Sequence, residues 1–256
     1  MLNGGVVSFI TTVNPDNVLG ATTGGITVNA NTTFNFTNTY TTSAANAVNA
    51  GRTVTLNNGA MLTFSNGGTG DQQGWWASRF TGTGGVNIYG TQVAGLTLTN
   101  ANNDFTGPIN IGTTTGGVVN NSAWLTTASL ADSASPITFG NWTTSNYFAY
   151  TGPALTLNNR TFVLGGNVSG ARGEIYANGT GPLTINTDLR VAGTFNQSFF
   201  LRGTSTDTNI FAGRIPDGAG VVVSLTKSDA GTWLLTGSNT YSGGSTLSAG
   251  TLLVNN

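Results

Sequence analysis

The apolar residues of this 256-residue chain fall into short runs, and many of them alternate with Thr, Asn or Ser. Thr-Val-Thr-Leu at 53–56, Leu-Thr-Leu-Thr at 96–99 and Leu-Thr-Ile at 183–185 put every second side chain on one side, as in a half-buried strand. The same reading predicts strands at Gly25–Val28, Thr32–Phe36, Met61–Phe64, Val86–Tyr89, Ile109–Ile111 and Ile137–Phe139. It continues with Ala154–Leu157, Thr161–Leu164, Glu174–Tyr176, Leu189–Val191 and Phe199–Leu201, then Val221–Leu225, Trp233–Thr236, Thr246–Leu247 and Thr251–Val254. No window keeps an i, i+3, i+4, i+7 stripe, so helices are not expected. Asn-Gly, Gly-Gly, Thr-Gly and Asn-Asn pairs separate the runs and suit the positive φ of tight turns. Alternation alone fits a parallel solenoid and an antiparallel sandwich equally.

Internal repetition favours the solenoid. With one inserted residue, the stretch from Leu98 aligns with that from Leu235: Leu98/Leu235, Thr99/Thr236, Asn102/Asn239, Phe105/Tyr241, Thr106/Ser242 and Gly107/Gly243. Weaker echoes of the strand–Asn-Asn turn begin at Val54 and Leu155. Units too small to bury their own apolar side are stable when stacked. A coil of ~20 residues gives about a dozen coils and, at ~4.8 Å each, a rod of roughly 55–60 Å. With no linker in view, residues 1–256 read as one continuous solenoid. Its Asn-Asn pairs at 57–58, 102–103 and 158–159 read as stacked turn residues whose amides bond from coil to coil.

Residues 225–254 are the most patterned part of the chain: three apolar runs, two turns, and Tyr241 held between Asn239 and Gly243. Through Leu225, Lys227, Gly231, Leu235, Thr236, Gly237, Asn239, Thr240, Tyr241, Gly243, Gly244, Gly250, Thr251 and Leu252 this segment resembles the autotransporter-associated β-strand repeat, also called the passenger-associated transport repeat. Its one departure is Asp229, where the usual pattern has Gly. Residues 96–111 resemble a degenerate copy of the repeat core, and the looser likeness runs from about Val93 to the end. The resemblance implies an all-β fold, a single-stranded right-handed parallel β-helix, in a protein of the bacterial surface or exterior. In that family the repeats build large secreted passengers, where they are thought to help translocation across the outer membrane.

Composition narrows the partners. Charged residues are only 7% and the formal net charge is -1, so the exterior is neutral and polar. The eight Lys and Arg are spread singly, and no basic footprint for nucleic acid exists. With no Cys and no His, disulfides, thiolate metal sites, the usual general base and the usual zinc ligand are all missing. No run approaches the ~18 apolar residues of a membrane helix. The first twenty residues lack the pattern of a signal peptide, so an exported form would be mature or excised. Neither the outward alternation of a C-terminal barrel nor its aromatic girdles are seen.

Candidate chemistry is thin. No two of the nine carboxylates lie within nine residues of each other. Asp188 and Asp207, nineteen residues apart, are close to one ~20-residue coil and could face each other as glycosidase acids do, though both read as turn residues. Gly67-Gly-Thr-Gly-Asp71 approaches a calcium-binding nonapeptide but occurs once. Trp75 and Trp76, near Arg79 and Phe80, could stack on a glycan or could equally pack the core, since adjacent strand residues point to opposite sides. Arginines 160, 172, 190, 202 and 214 read as markers of recurrent solvent-facing turns.

The leading expectation is therefore a structural solenoid of the cell surface, without catalytic residues, cofactor or metal. It is expected to self-associate end to end or side by side into a filament or layer, or to form part of a secreted passenger. The uncapped strand Thr251–Val254 is the edge expected to join the next unit. A carbohydrate-binding adhesin using Trp75 and Trp76 is the alternative, and a polysaccharide-degrading enzyme ranks below both.

Overall fold

The structure, a computed structural model, describes residues 1–9, 23–36, 48–66, 72–90, 94–112, 122–141 and 143–255. Within them every regular element is a strand, and every paired strand is parallel to its neighbour, as a solenoid requires. The chain winds over three faces in a fixed order. One turn runs from Gln72–Trp76 on the second face to Arg79–Gly82 on the third, then Gly85–Gly90 on the first, and returns to the second at Ala94–Leu98.

The second face is an 8-stranded sheet: Gln72–Trp76, Ala94–Leu98, Ser122–Thr127, Ser145–Tyr150, Arg172–Ala177, Gln197–Arg202, Val223–Lys227 and Ser245–Leu247. Between its first and last strands the chain comes round seven times, a rise of roughly 34 Å at ~4.8 Å per rung. Coils are longer than the ~20 residues expected. Leu96, Leu125, Phe148, Ile175, Leu201, Lys227 and Leu247 stand in one column, with steps of 29, 23, 27, 26, 26 and 20 residues. The short spacing holds only for the last step. Elsewhere the additional residues lie in corners, which carry no ladder bonds and therefore vary freely in length. The expected dozen coils are accordingly too many.

The core is a narrow prism filled by the inward column of each face. Phe34, Phe64, Ile88, Ile111, Phe139 and Leu164 line the first face in register, and Leu157, Ile185, Phe211 and Leu235 the third. The expected Asn ladders are present at the corners. Asn57 donates to Asn29, and Asn29 to Asn3, at 3.0 and 3.1 Å; Asn186 donates to Asn158 at 2.7 Å. Amides in this arrangement replace the bonds that exposed corner groups would make to water.

One expectation is reversed. Arg160 is fully buried rather than solvent-facing. Its guanidinium fills the corner between the third and first faces and donates to the carbonyls of Ala131, Ser135, Gly107 and Phe105. A corner turns its carbonyls inward without a strand to take them, and the five donors of one Arg serve several at once. Arg52 is buried in the same way and donates to Gly24 O at 2.9 Å.

Candidate functional site

The repeat signature maps onto contacts between rungs. Leu225 and Leu235 fill the core, and Lys227, the only lysine of the chain, is buried beside them. Its Nζ donates to the carbonyls of Ser228, Asp229 and Ala249, closing the corner between the second and third faces. Burial pulls the ammonium below the usual lysine range and Arg202 adds to this, while the carboxylate of Asp229 opposes it. Asp229 itself takes φ 62, the left-handed conformation that the glycine of the usual pattern would adopt. Its carboxylate accepts from Arg202 Nη2 at 3.1 Å and Gly203 N at 3.1 Å, a compensation that glycine cannot offer.

Asn239 shows what the Asn of the repeat does. Its Oδ1 accepts from Ile215 N at 2.9 Å while Thr240 N donates to Ile215 O at 2.9 Å, so both backbone groups of the rung below are satisfied. In the degenerate copy the same device clasps Phe80: Asn103 Oδ1 takes Phe80 N and Asp104 N gives to Phe80 O, both at 2.9 Å. The structural equivalent of Asn239 is therefore Asn103, and the pairing with Asn102 drawn from sequence is off by one residue. Tyr241 packs against the core and shares a 2.6 Å hydrogen bond between its hydroxyl and Ser245 Oγ.

Gly237 is required by close approach: a Cβ there would lie 2.3 Å from Gly213 O. Gly237→Ala is expected to destabilise the fold by about 1–3 kcal/mol through overpacking, read as a lower urea midpoint with an unchanged slope.

The adjacent tryptophans point in opposite directions. Trp76 is 1% exposed, parallel to Phe34 and edge-on to Phe64 and Phe80, whereas Trp75 is half-buried on the outer side of the second face. Only Trp75 of this pair presents a ring outward. Asp188 and Asp207 are not brought together. Asp188 follows the strand Leu183–Ile185 and accepts from Arg214 N at 2.7 Å, one coil of 26 residues on. Asp207 precedes the strand Thr208–Phe211, which pairs with Leu183–Ile185, and so lies at the other end of the third face. Residues 67–71 lie outside the described residues. Among those described, no cluster of three or more carboxylates could hold a metal, and no helix is long and apolar enough to cross a membrane.

The richest outer surface is one that the sequence reading did not single out. In the second face Trp124 and Tyr147 occupy neighbouring rungs in register, their rings parallel to 2° with centroids 5.5 Å apart. Tyr176 follows at 4.8 Å from Tyr147, Arg202 lies over Tyr176 at 4.7 Å, and Arg172 over Phe200 at 5.3 Å. Among them the fully buried carboxylate of Glu174 pairs with Arg172 at 3.0 Å and Arg202 at 2.8 Å. It also accepts from Ser145 Oγ and from the Tyr176 hydroxyl. Two cations and two hydroxyls hold this group ionised and engaged, which leaves it nothing to do as a general acid or base.

Burial first, and the charge of Glu174 second, push the Tyr147 phenol up to about 12. A raised folded value contributes stability that is complete below the ordinary tyrosine value of 10.0 and is lost as pH rises toward 12. At pH 11 the native protein is thus expected to keep Tyr147 protonated. In the difference absorbance at 295 nm, Tyr147→Phe should remove a late-titrating component.

Two comparisons bear on these features. Residues 94–115 and 225–254 match the family model of the passenger-associated transport repeat. The chain is also 31% identical over 129 residues to the adhesin BmaC autotransporter of Brucella suis biovar 1 (strain 1330). That match covers 49% of this chain and 4% of the relative, so the chain spans a small part of the adhesin's length. No solved structure matches significantly. The two matched segments are the ones in which Asn103 and Asn239 clasp the rung below, and they mark the chain as a parallel β-solenoid that carries passenger-associated transport repeats.

Proposed function

We propose that this chain is an adhesive segment of a secreted, surface-exposed passenger, and that it acts by binding rather than by catalysis. The observation that carries the reading is the 129-residue similarity to an autotransporter adhesin, joined to two transport repeats. The physics agrees with it. Ladder hydrogen bonds running along the axis make a stiff support, and the neutral exterior sets up no strong field to select partners by charge. Contact must then come from shape, stacking and hydrogen bonds on an outer face.

Self-association into a filament is the lesser reading. The apolar side chains at the last rung, Leu247, Leu253 and Val254, are those that any following rung would cover.

Beads coated with the purified chain are expected to adhere to epithelial cells, and the soluble chain to compete them off. Binding no greater than that of albumin-coated beads would refute the adhesive role.

A further inference from the structure

We propose that the outer surface of the second face binds an uncharged saccharide, stacked on Trp124 and Tyr147 and bounded by Tyr176 and Phe200. This rests on the adhesive reading and gives it a site and a ligand class. Trp124, Tyr147, Tyr176 and Phe200 all alternate outward on this one sheet, while the outward positions of the third face are Thr55, Thr81, Thr156, Thr184, Ile210 and Leu234. Rings on the outside of a solenoid add little to its core, so their gathering on one face marks a surface for contact.

The local geometry suits a flat, weakly polar ligand. Trp124 lies over Gly95 of the preceding rung, where a Cβ would come within 2.2 Å of its Cε2. With no side chain beneath it, the indole is laid over backbone rather than standing away from the sheet. Tyr147, parallel to it, extends the same apolar shelf across the next rung. Such a shelf matches the C–H face of a pyranose, whose hydroxyls then reach the phenol edges and the Thr and Ser side chains around them.

Charge selects against anions. Arg172 and Arg202 are balanced by Glu174 and Asp229, and the ion pairs among these four engage each of them. The surface has no free cation to recognise a sulfate, a phosphate or an acidic sugar.

The test uses the whole chain on an array of neutral and sulfated oligosaccharides, followed by calorimetry with the best binder. Trp124→Ala is expected to weaken a neutral oligosaccharide about tenfold, whereas Tyr147→Phe, which keeps the ring, retains binding. Should Trp124→Ala unfold, the wild-type chain labelled with 5-fluorotryptophan gives a second readout: the Trp124 resonance, assigned with Trp124→Phe, shifts on titration. Recognition of sulfated sugars alone, or binding indifferent to Trp124, overturns the proposal. Cell adhesion with no saccharide bound overturns it and leaves the adhesive reading standing; saccharide binding without cell adhesion does the reverse.

Discussion

Arg160→Met is expected to destabilise the protein by about 3–5 kcal/mol, the usual result of removing one side of a buried ionic cluster. The guanidinium donates to Ala131 O and Ser135 O at 3.0 Å, to Gly107 O at 3.1 Å and to Phe105 O at 3.5 Å. It thereby ties its own corner to the rung before and to the one before that. Burial pulls its pKa down to about 10, against a small upward pull from Asp132, so it stays charged at neutral pH. Methionine keeps the length of the side chain and none of its donors, and buried carbonyls left alone cost about 1–3 kcal/mol each. Arg160→Lys should recover only part of the loss, since a single ammonium lacks the fork that spans two rungs. Urea unfolding followed by circular dichroism measures both. An Arg160→Met protein within 1 kcal/mol of the parent would mean that water replaces the guanidinium in that corner.

Trp76→Ala carries an effect of similar size, about 3–5 kcal/mol. The ring is 5.8 Å from Phe34, 5.7 Å from Phe64 and 5.6 Å from Phe80 by centroid, and so locks strands of all three faces together. Its removal leaves a hole that a prism packed on three sides cannot close. The neighbouring Trp75→Ala removes the same chemistry from an outer, half-buried site and should cost under about 1 kcal/mol. Equal losses at the two positions would contradict the assignment of Trp76 to the core.

Much of the fold was legible in the sequence because Thr and Asn alternate with Leu, Ile and Val wherever one side of a strand meets water. Ile109–Ile111, Ile137–Phe139 and Thr251–Val254 appear at the expected residues. The strands that escaped notice include Gln72–Trp76, Ser122–Thr127 and Ser145–Tyr150, all on the second face. There the outward position holds Trp75, Trp124 or Tyr147, so neighbouring apolar residues blur the period of two.

The aromatic strip was hidden for the same reason and for one more. A coil of ~20 residues does not bring Trp124 above Tyr147 or Tyr147 above Glu174, whereas the observed steps of 23 and 27 do. The repeat itself suggested the wrong length, because its last step is 20 residues and the others are longer. Arg160 could not be read from sequence at all: an isolated Arg in a turn-rich chain looks exposed until the carbonyls that it serves are placed.

The central claim is a parallel solenoid with this register, and an engineered disulfide tests it directly because the chain has no cysteine. Ser198 and Ser224 are 26 residues apart, paired in register, with their Oγ atoms 3.1 Å from each other. Changing both to Cys should give a rapid, near-complete intramolecular disulfide under mild oxidation. Ser198→Cys with Thr226→Cys should stay reduced, since diagonal neighbours lie about 7–8 Å apart, beyond disulfide reach. Efficient bridging of the diagonal pair, or none in the in-register pair, would contradict the coil described here.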